Sequence, residues 1–153
     1  MSKLGVRINT TNAAASQYIG MDFDSLVVFN GVVIGAGSSG IFKLEGESDN
    51  GVNIEADFKT FSTDLGVANK KRMRNIVLSG EFEGSLEVLP VVDNDEGEVH
   101  SVPAEASRFH REYTVPVNRD NQGAAVGVRV KNTNGSYFCV ESIDVLPVIL
   151  GVR

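Results

Sequence analysis

The chain has 153 residues, 42% hydrophobic and 22% charged, which fits a single domain of ordinary size that folds without disulfides or metals. Its 14 Lys and Arg against 20 Asp and Glu give a net charge of -6, which argues against a coat for nucleic acid or an anionic membrane. One cysteine, Cys139, excludes an internal disulfide framework and a cysteine-only zinc site.

No apolar run approaches the ~20 residues of a membrane span. The start at Met1–Gly5 shows no apolar signal region. A soluble protein made inside the cell is therefore expected. Val occurs 22 times and Ile 8, against 9 Leu and 10 Ala. β-branched side chains lose rotamer freedom in a helix and pack well on a pleated surface, so this usage favours strands. Sixteen Gly and twelve Asn supply positive-φ turn positions.

In chain order, residues 1–24 are weakly patterned, and the polar stretch Asn9–Ser16 reads as an extended arm, with room for a short helix near Ala13–Ala15. Ser25–Phe29 and Val32–Ile34 flank Asn30-Gly31, a strong hairpin signal because a type I′ turn needs positive φ at both central residues. Ile41–Glu45 follows a glycine-rich turn as a third antiparallel strand. Residues 52–61 alternate, with Val52, Ile54, Ala56 and Phe58 on one face, and are expected to form a half-buried strand. Thr63–Asn69 reads as a loop, and Lys70–Arg74 leads into Ile76–Leu78. Further strands are expected at Ser85–Val92, Arg111–Val117 and Ala124–Lys131, the last with Ala124, Val126, Val128 and Val130 on one face. Tyr137–Leu150 is too long for one flat strand, and its blurred phase at Glu141–Asp144 predicts a bulge.

Strands spaced in this way point to an all-β fold, an antiparallel β-sandwich of jelly-roll-like or immunoglobulin-like type. Residues 1–24 would be the arm, 25–48 a β-meander and 49–153 the sandwich.

Gly35, Gly37 and Gly40 match the dinucleotide fingerprint after an apolar strand, with Glu55 near the acidic position. That site needs a helix whose N-terminal N–H groups hold the pyrophosphate. Nothing between Gly40 and the breakers at Asp49–Gly51 allows one, so a turn is expected. Asp93–Glu98 resembles a calcium loop, but its glycine is fifth rather than sixth and its flanks read as strands. A solvated acidic hairpin loop is the better reading. His100, His110 and Cys139 have no metal-ligand spacing and no orienting third group. Cys139 is expected to be a buried structural thiol, and catalytic, cofactor and metal residues are expected to be absent. The basic cluster Lys70-Lys71-Arg72-x-Arg74 reads as a solvated loop entering a strand, with a contact to the acidic face of a neighbouring subunit as the main functional reading and phosphate or nucleic acid as the lesser one.

Four stretches in order carry a resemblance. They are Phe29-Asn-Gly31 with Gly35–Gly46, then Phe58–Gly66, then the Lys71-Arg72 pair, and finally Val130–Leu150 with its Asn-x-x-Gly turn and Ser-Ile-Asp-x-x-Pro-Val strand. Together, over about residues 23–153, they resemble small virion structural proteins of tailed bacteriophages. Such proteins are often longer at the N-terminus, so the resemblance implies a shortened version. Thr133, Asn134 and Cys139 depart from the pattern, which favours a more acidic turn and a larger side chain. The resemblance implies a non-enzymatic component of the neck, tail or baseplate. It would be made in the bacterial cytoplasm, located in the virion and bound to other virion proteins as a homo-oligomer, with neither nucleic acid nor membrane as its primary ligand.

Candidate interface residues are Asn9, Thr10 and Tyr18 in the arm, Lys70, Lys71, Arg72 and Arg74 in the basic loop, and Val148, Leu150 and Arg153 at the C-terminal strand. The alternative is a carbohydrate-binding, decoration or receptor-binding β-sandwich. Sugar platforms favour exposed aromatic rings, and the absence of Trp with only Tyr18, Tyr113 and Tyr137 counts against it. A nucleotide enzyme rests on the Gly35–Gly40 match alone.

Overall fold

A computed structural model of the chain describes residues 4–11, 13, 15–46, 48–49, 51–104 and 106–151. Over these residues the fold is all-β and antiparallel. The chain divides into two units, Met1–Gly46 and Glu47–Arg153.

In the first unit, β1 (Leu4–Ile8) pairs with β2 (Ala15–Ile19). The segment expected as an extended arm therefore holds a hairpin, in which each strand satisfies the other's backbone groups. β3 (Ser25–Phe29), β4 (Val32–Gly37) and β5 (Gly40–Lys43) form a meander. Asn30 and Gly31 have φ of 49° and 81°, the type I′ geometry expected between β3 and β4. The glycine motif is the β4–β5 hairpin, closed by Gly37 opposite Gly40. Gly35 lies beneath the Phe23 ring, where any Cβ would come within 2.7 Å of it, and Phe23 in turn packs on Phe42 at 5.8 Å between ring centres. The glycines serve packing and a turn.

In the second unit, β6 (Ser48–Asp49) and β7 (Val52–Asn53) make a small hairpin. β8 (Asp57–Lys59), β9 (Lys71–Phe82), β10 (Leu86–Val92), β11 (Asp95–Glu96), β12 (His100–Val102), β13 (His110–Pro116), β14 (Gln122–Gly123), β15 (Val126–Asn132) and β16 (Phe138–Ile149) follow. One sheet runs β11-β10-β15-β8, with β12 also on β10. In the other, β9 is flanked by β16 along its length on one side and by β13 and β14 on the other. The buried side chains of both sheets form one cluster: Met73, Ile76, Leu78 and Phe82 from β9, Leu86 and Val88 from β10, Val102, Val115, and Val126, Val128 and Val130 from β15. The valine face expected on β15 is thus in the core.

Two bulges set the phase of β9. Along β9, Lys71 and Met73 are buried, then Ile76, Leu78, Gly80 and Phe82. The step at Arg74 moves the apolar residues that follow onto the core face, because a one-residue slip turns every later side chain over. The partner carries the opposite irregularity at Glu141, inside the region where a bulge is expected. Between the two bulges the β9–β16 register is offset by one residue; outside them it is the same, so both strands stay paired from Phe138–Phe82 to Ile149–Lys71. Gly80 faces the Glu141 bulge, where a Cβ would lie 2.1 Å from the Cys139 carbonyl oxygen.

The single strand expected over residues 52–61 is broken in two. Val52 and Ile54 are exposed, and between β7 and β8 the backbone pairs with a side chain. Asn132 is buried at the end of β15; its amide oxygen accepts the Ala56 N–H at 2.8 Å, and its amide nitrogen donates to the carbonyls of Ile54 at 3.0 Å and Ser136 at 3.2 Å. Replacing Asn132 by Ala leaves these three backbone groups without their partner. A loss of about 2 kcal/mol is expected in urea unfolding, since each buried polar group left unpaired costs about 1–3 kcal/mol before solvent compensates.

Candidate functional site

The interface residues expected from distant parts of the chain meet at one end of the β9 sheet. Arg72 lies opposite Val148 and Lys71 opposite Ile149, while the Leu150 N–H donates to the Lys70 carbonyl at 2.8 Å. Lys70 and Arg74 are exposed and Arg72 is half-buried, and none of the three makes an ion pair among the described residues. The Arg74 carbonyl accepts the Val117 N–H at 2.9 Å, which ties its bulge to the loop after β13. Arg153 lies outside the described residues.

Lys71 does not belong to this surface. It is 1% exposed, and its ammonium donates to the carbonyls of Val67, Asn69 at 2.9 Å and Ala124 at 2.8 Å. A buried cation needs such partners, and here three carbonyls of two loops supply them. Its role is to clamp the chain before β9 to the start of β15. Asn9 and Thr10 sit in the turn of the β1–β2 hairpin, where the Asn9 side chain accepts the Thr11 N–H at 2.9 Å. With Tyr18, Arg7, Ile8 and Ser16 they line an open groove of about 410 Å³.

Cys139 is exposed rather than buried, because Phe138 takes the inward position of β16 and turns its neighbour outward. On the same outer face, Ser79 Oγ lies 3.1 Å and Glu141 Oε2 3.3 Å from His110 Nε2. A serine nucleophile with a histidine base needs the acid on the other ring nitrogen. Both groups here approach one nitrogen in an exposed setting, which makes a surface polar contact. His100 is on β12, in the other sheet.

The acidic loop is a type I′ turn at Asp93 and Asn94, with φ of 50° and 75°. Asp93 Oδ1 accepts the N–H groups of Ala124 at 3.0 Å and Ala125 at 2.8 Å, so this carboxylate organises the entry to β15. Glu96 pairs with Arg129 at 2.9 Å, and Glu98 accepts from the Asn118 side chain. Arg129 also bonds Asp57 at 2.7 Å. The hydrogen bond it donates to Asp57, followed by that to Glu96, raises the guanidinium above its ordinary value. A raised folded value stabilises below the unfolded value and is lost only above it, in strong alkali, so it gives the fold no pH dependence near neutrality. Among the described residues no three His, Cys, Asp or Glu side chains are grouped to hold a metal ion.

The apolar surface of the first unit was not among the expected site residues. Leu26, Val27, Val28 and Phe29 on β3 are 60%, 58%, 67% and 62% exposed, and Ile41 on β5 is 78% exposed. Its signal in the sequence is a run of four apolar residues without alternation, which makes both faces of a strand apolar. In the second unit Phe61 is 97% exposed. Its neighbours are held to β15, with the Thr60 N–H on the Val128 carbonyl at 2.8 Å and the Thr63 N–H on the Val126 carbonyl at 2.9 Å.

No protein-family model, curated protein or solved structure matches the chain.

Replacing Lys71 by Met keeps the length of the side chain and removes the donor. A stability loss of about 3 kcal/mol is expected by chemical denaturation, from charged hydrogen bonds broken and carbonyls left unpaired. Replacing Arg72 by Ser is expected to stay within about 0.5 kcal/mol, as for other surface substitutions. Equal losses in the two variants would contradict the division of this basic cluster.

Proposed function

We propose that this chain is a non-enzymatic structural protein of a tailed bacteriophage virion, assembling through protein–protein contacts in a neck, tail or baseplate ring. The observation that carries the assembly part is β3, a strand with four successive apolar side chains exposed to solvent. Isolated apolar side chains on a surface are ordinary, but a contiguous apolar strand marks a contact surface. Phe61 is a second anchor of the kind that dominates interface energetics, a large aromatic held by paired backbone. The virion part is supported by the four ordered stretches resembling phage structural proteins. The shared core of the two sheets in the second unit supports an antiparallel β-sandwich as the scaffold.

Lys70, Arg72 and Arg74, which make no ion pair among the described residues, suit an acidic partner surface on an otherwise acidic protein. Such contacts steer and orient association, while the apolar patches supply affinity.

Quantitative mass spectrometry of purified particles tests this reading. The chain is expected at a fixed copy number per particle, matching the order of a symmetric ring. Its absence from purified particles would overturn the proposal.

A further inference from the structure

Both faces of the meander β3-β4-β5 carry exposed apolar residues, Leu26, Val28 and Val33 on one and Val27, Phe29 and Ile41 on the other. Pairing places Leu26, Gly35 and Phe42 in one row and Val27, Ile34 and Lys43 in the next. The face bearing Gly35 is covered in its middle by Phe23, which packs on both Gly35 and Phe42. The opposite face carries Ser25, Val27, Phe29, Val32, Ile34, Ala36, Ile41 and Lys43. Its apolar residues run across all three strands, and the best exposed are Val27, Phe29 and Ile41. Its one charge, Lys43, is ion-paired with Glu45 of the same unit.

We infer that this Val27–Phe29–Ile41 face is buried against the same face of a second copy of the chain. The inference deepens the assembly reading given above and rests on it for the biological setting. Charge selects the occupant. The outer faces of the sheets in residues 47–153 carry Arg129, Asp57, Glu96 and Lys131 on one and Glu81, Glu112, Glu141 and Asp144 on the other. Charged faces do not complement a neutral apolar one, because burying their ions without partners costs more than the apolar contact returns. An identical apolar face complements it without leaving any charge unpaired, and the contact closes by two-fold symmetry.

The area is sufficient for a real but modest contact. At roughly 100–150 Å² for each well-exposed side chain, with smaller shares from Val32, Ile34 and Ala36, the face presents about 500 Å² per copy. Two copies then bury about 1,000 Å², the lower bound for a specific interface. A contact of that size belongs with weak, transient association, with tighter assembly where several such contacts act together.

The test is sedimentation velocity of the purified full chain from low to high micromolar loading. The wild-type chain is expected to move from one to two copies across this range. Val27→Lys, which places a charge on the proposed contact face, is expected to weaken self-association by about 100-fold, because a desolvated unpaired charge is costly. Val27→Thr keeps a β-branched strand residue and is expected to weaken it by about 10-fold, so the reading does not depend on whether the lysine variant folds. Val33→Lys adds the same charge at an exposed position of β4 on the opposite face, outside the β3 run, and is expected to leave association unchanged. A wild-type chain that stays monomeric throughout, or equal losses from Val27→Lys and Val33→Lys, would overturn the inference. A monomeric chain that is still counted in particles overturns the self-contact alone. A dimer absent from particles overturns the virion reading alone.

Discussion

The second unit depends on β9 being paired on both edges over its whole length. A twelve-residue strand that alternated without interruption would keep a single phase. It would then bury either Lys71 and Met73 or Ile76, Leu78 and Phe82, and not both groups. The bulge at Arg74 resolves that conflict, and the opposed bulge at Glu141 returns β16 to register. The two irregularities are one device. Each alone would leave an end of the β9–β16 ladder out of step, and a ladder out of step exposes backbone groups that need partners.

Where the ladders end, single polar side chains take over their work. Asn132 stands in for a strand between β7 and β8, Asp93 receives the two N–H groups that open β15, and Lys71 collects three carbonyls before β9. All three act on β15 or its flanks, which keeps the valine-lined strand fixed at both ends while its interior contributes only apolar packing. Their chemistry is structural although each belongs to a residue type common in active sites. Lys71 and Asn132 are buried and partnered by backbone groups, and the exposed Asp93 spends one carboxylate oxygen on two backbone N–H groups, so each stabilises a backbone path.

Local patterns that depend on neighbours in sequence were legible: the Asn30-Gly31 turn, the valine face of β15, and the irregularity near Glu141. The failures came where tertiary partners override a local pattern. Residues 52–59 alternate well, yet Asn132 offers the backbone between them a better partner than a strand ladder does. Lys71 sits among four cationic residues, Lys70 to Arg72 and Arg74, and what sets it apart is its inward place on β9 with the carbonyls of Val67, Asn69 and the sequence-distant Ala124 around its ammonium. Cys139 faces outward because Phe138 takes the inward position, a phase that the Glu141 bulge two residues later hides in the sequence. Val148 and Leu150 do lie beside Lys70 and Arg72, a proximity created by the β9–β16 pairing that residue type alone does not reveal.

The two units also divide their chemistry. The second pairs Arg129 with Asp57 and Glu96 on an outer face and packs the valines of β10 and β15 inward, so its two sheets share a core within one chain. The first has little interior: a ring pair, Phe23 on Phe42, stands beside strands whose apolar residues face solvent. A three-stranded sheet needs one buried face to be stable by itself, and a two-stranded hairpin such as β1–β2 is marginal in water. Selection for solubility alone would have placed charges on β3, as edge strands commonly carry them to prevent pairing. Leu26 to Phe29 carry no such charge, and the self-contact proposed above would cover Val27 and Phe29 of that run. A small apolar contact suits such a role, because it lets copies dissociate while few are present and holds them once many contacts close together.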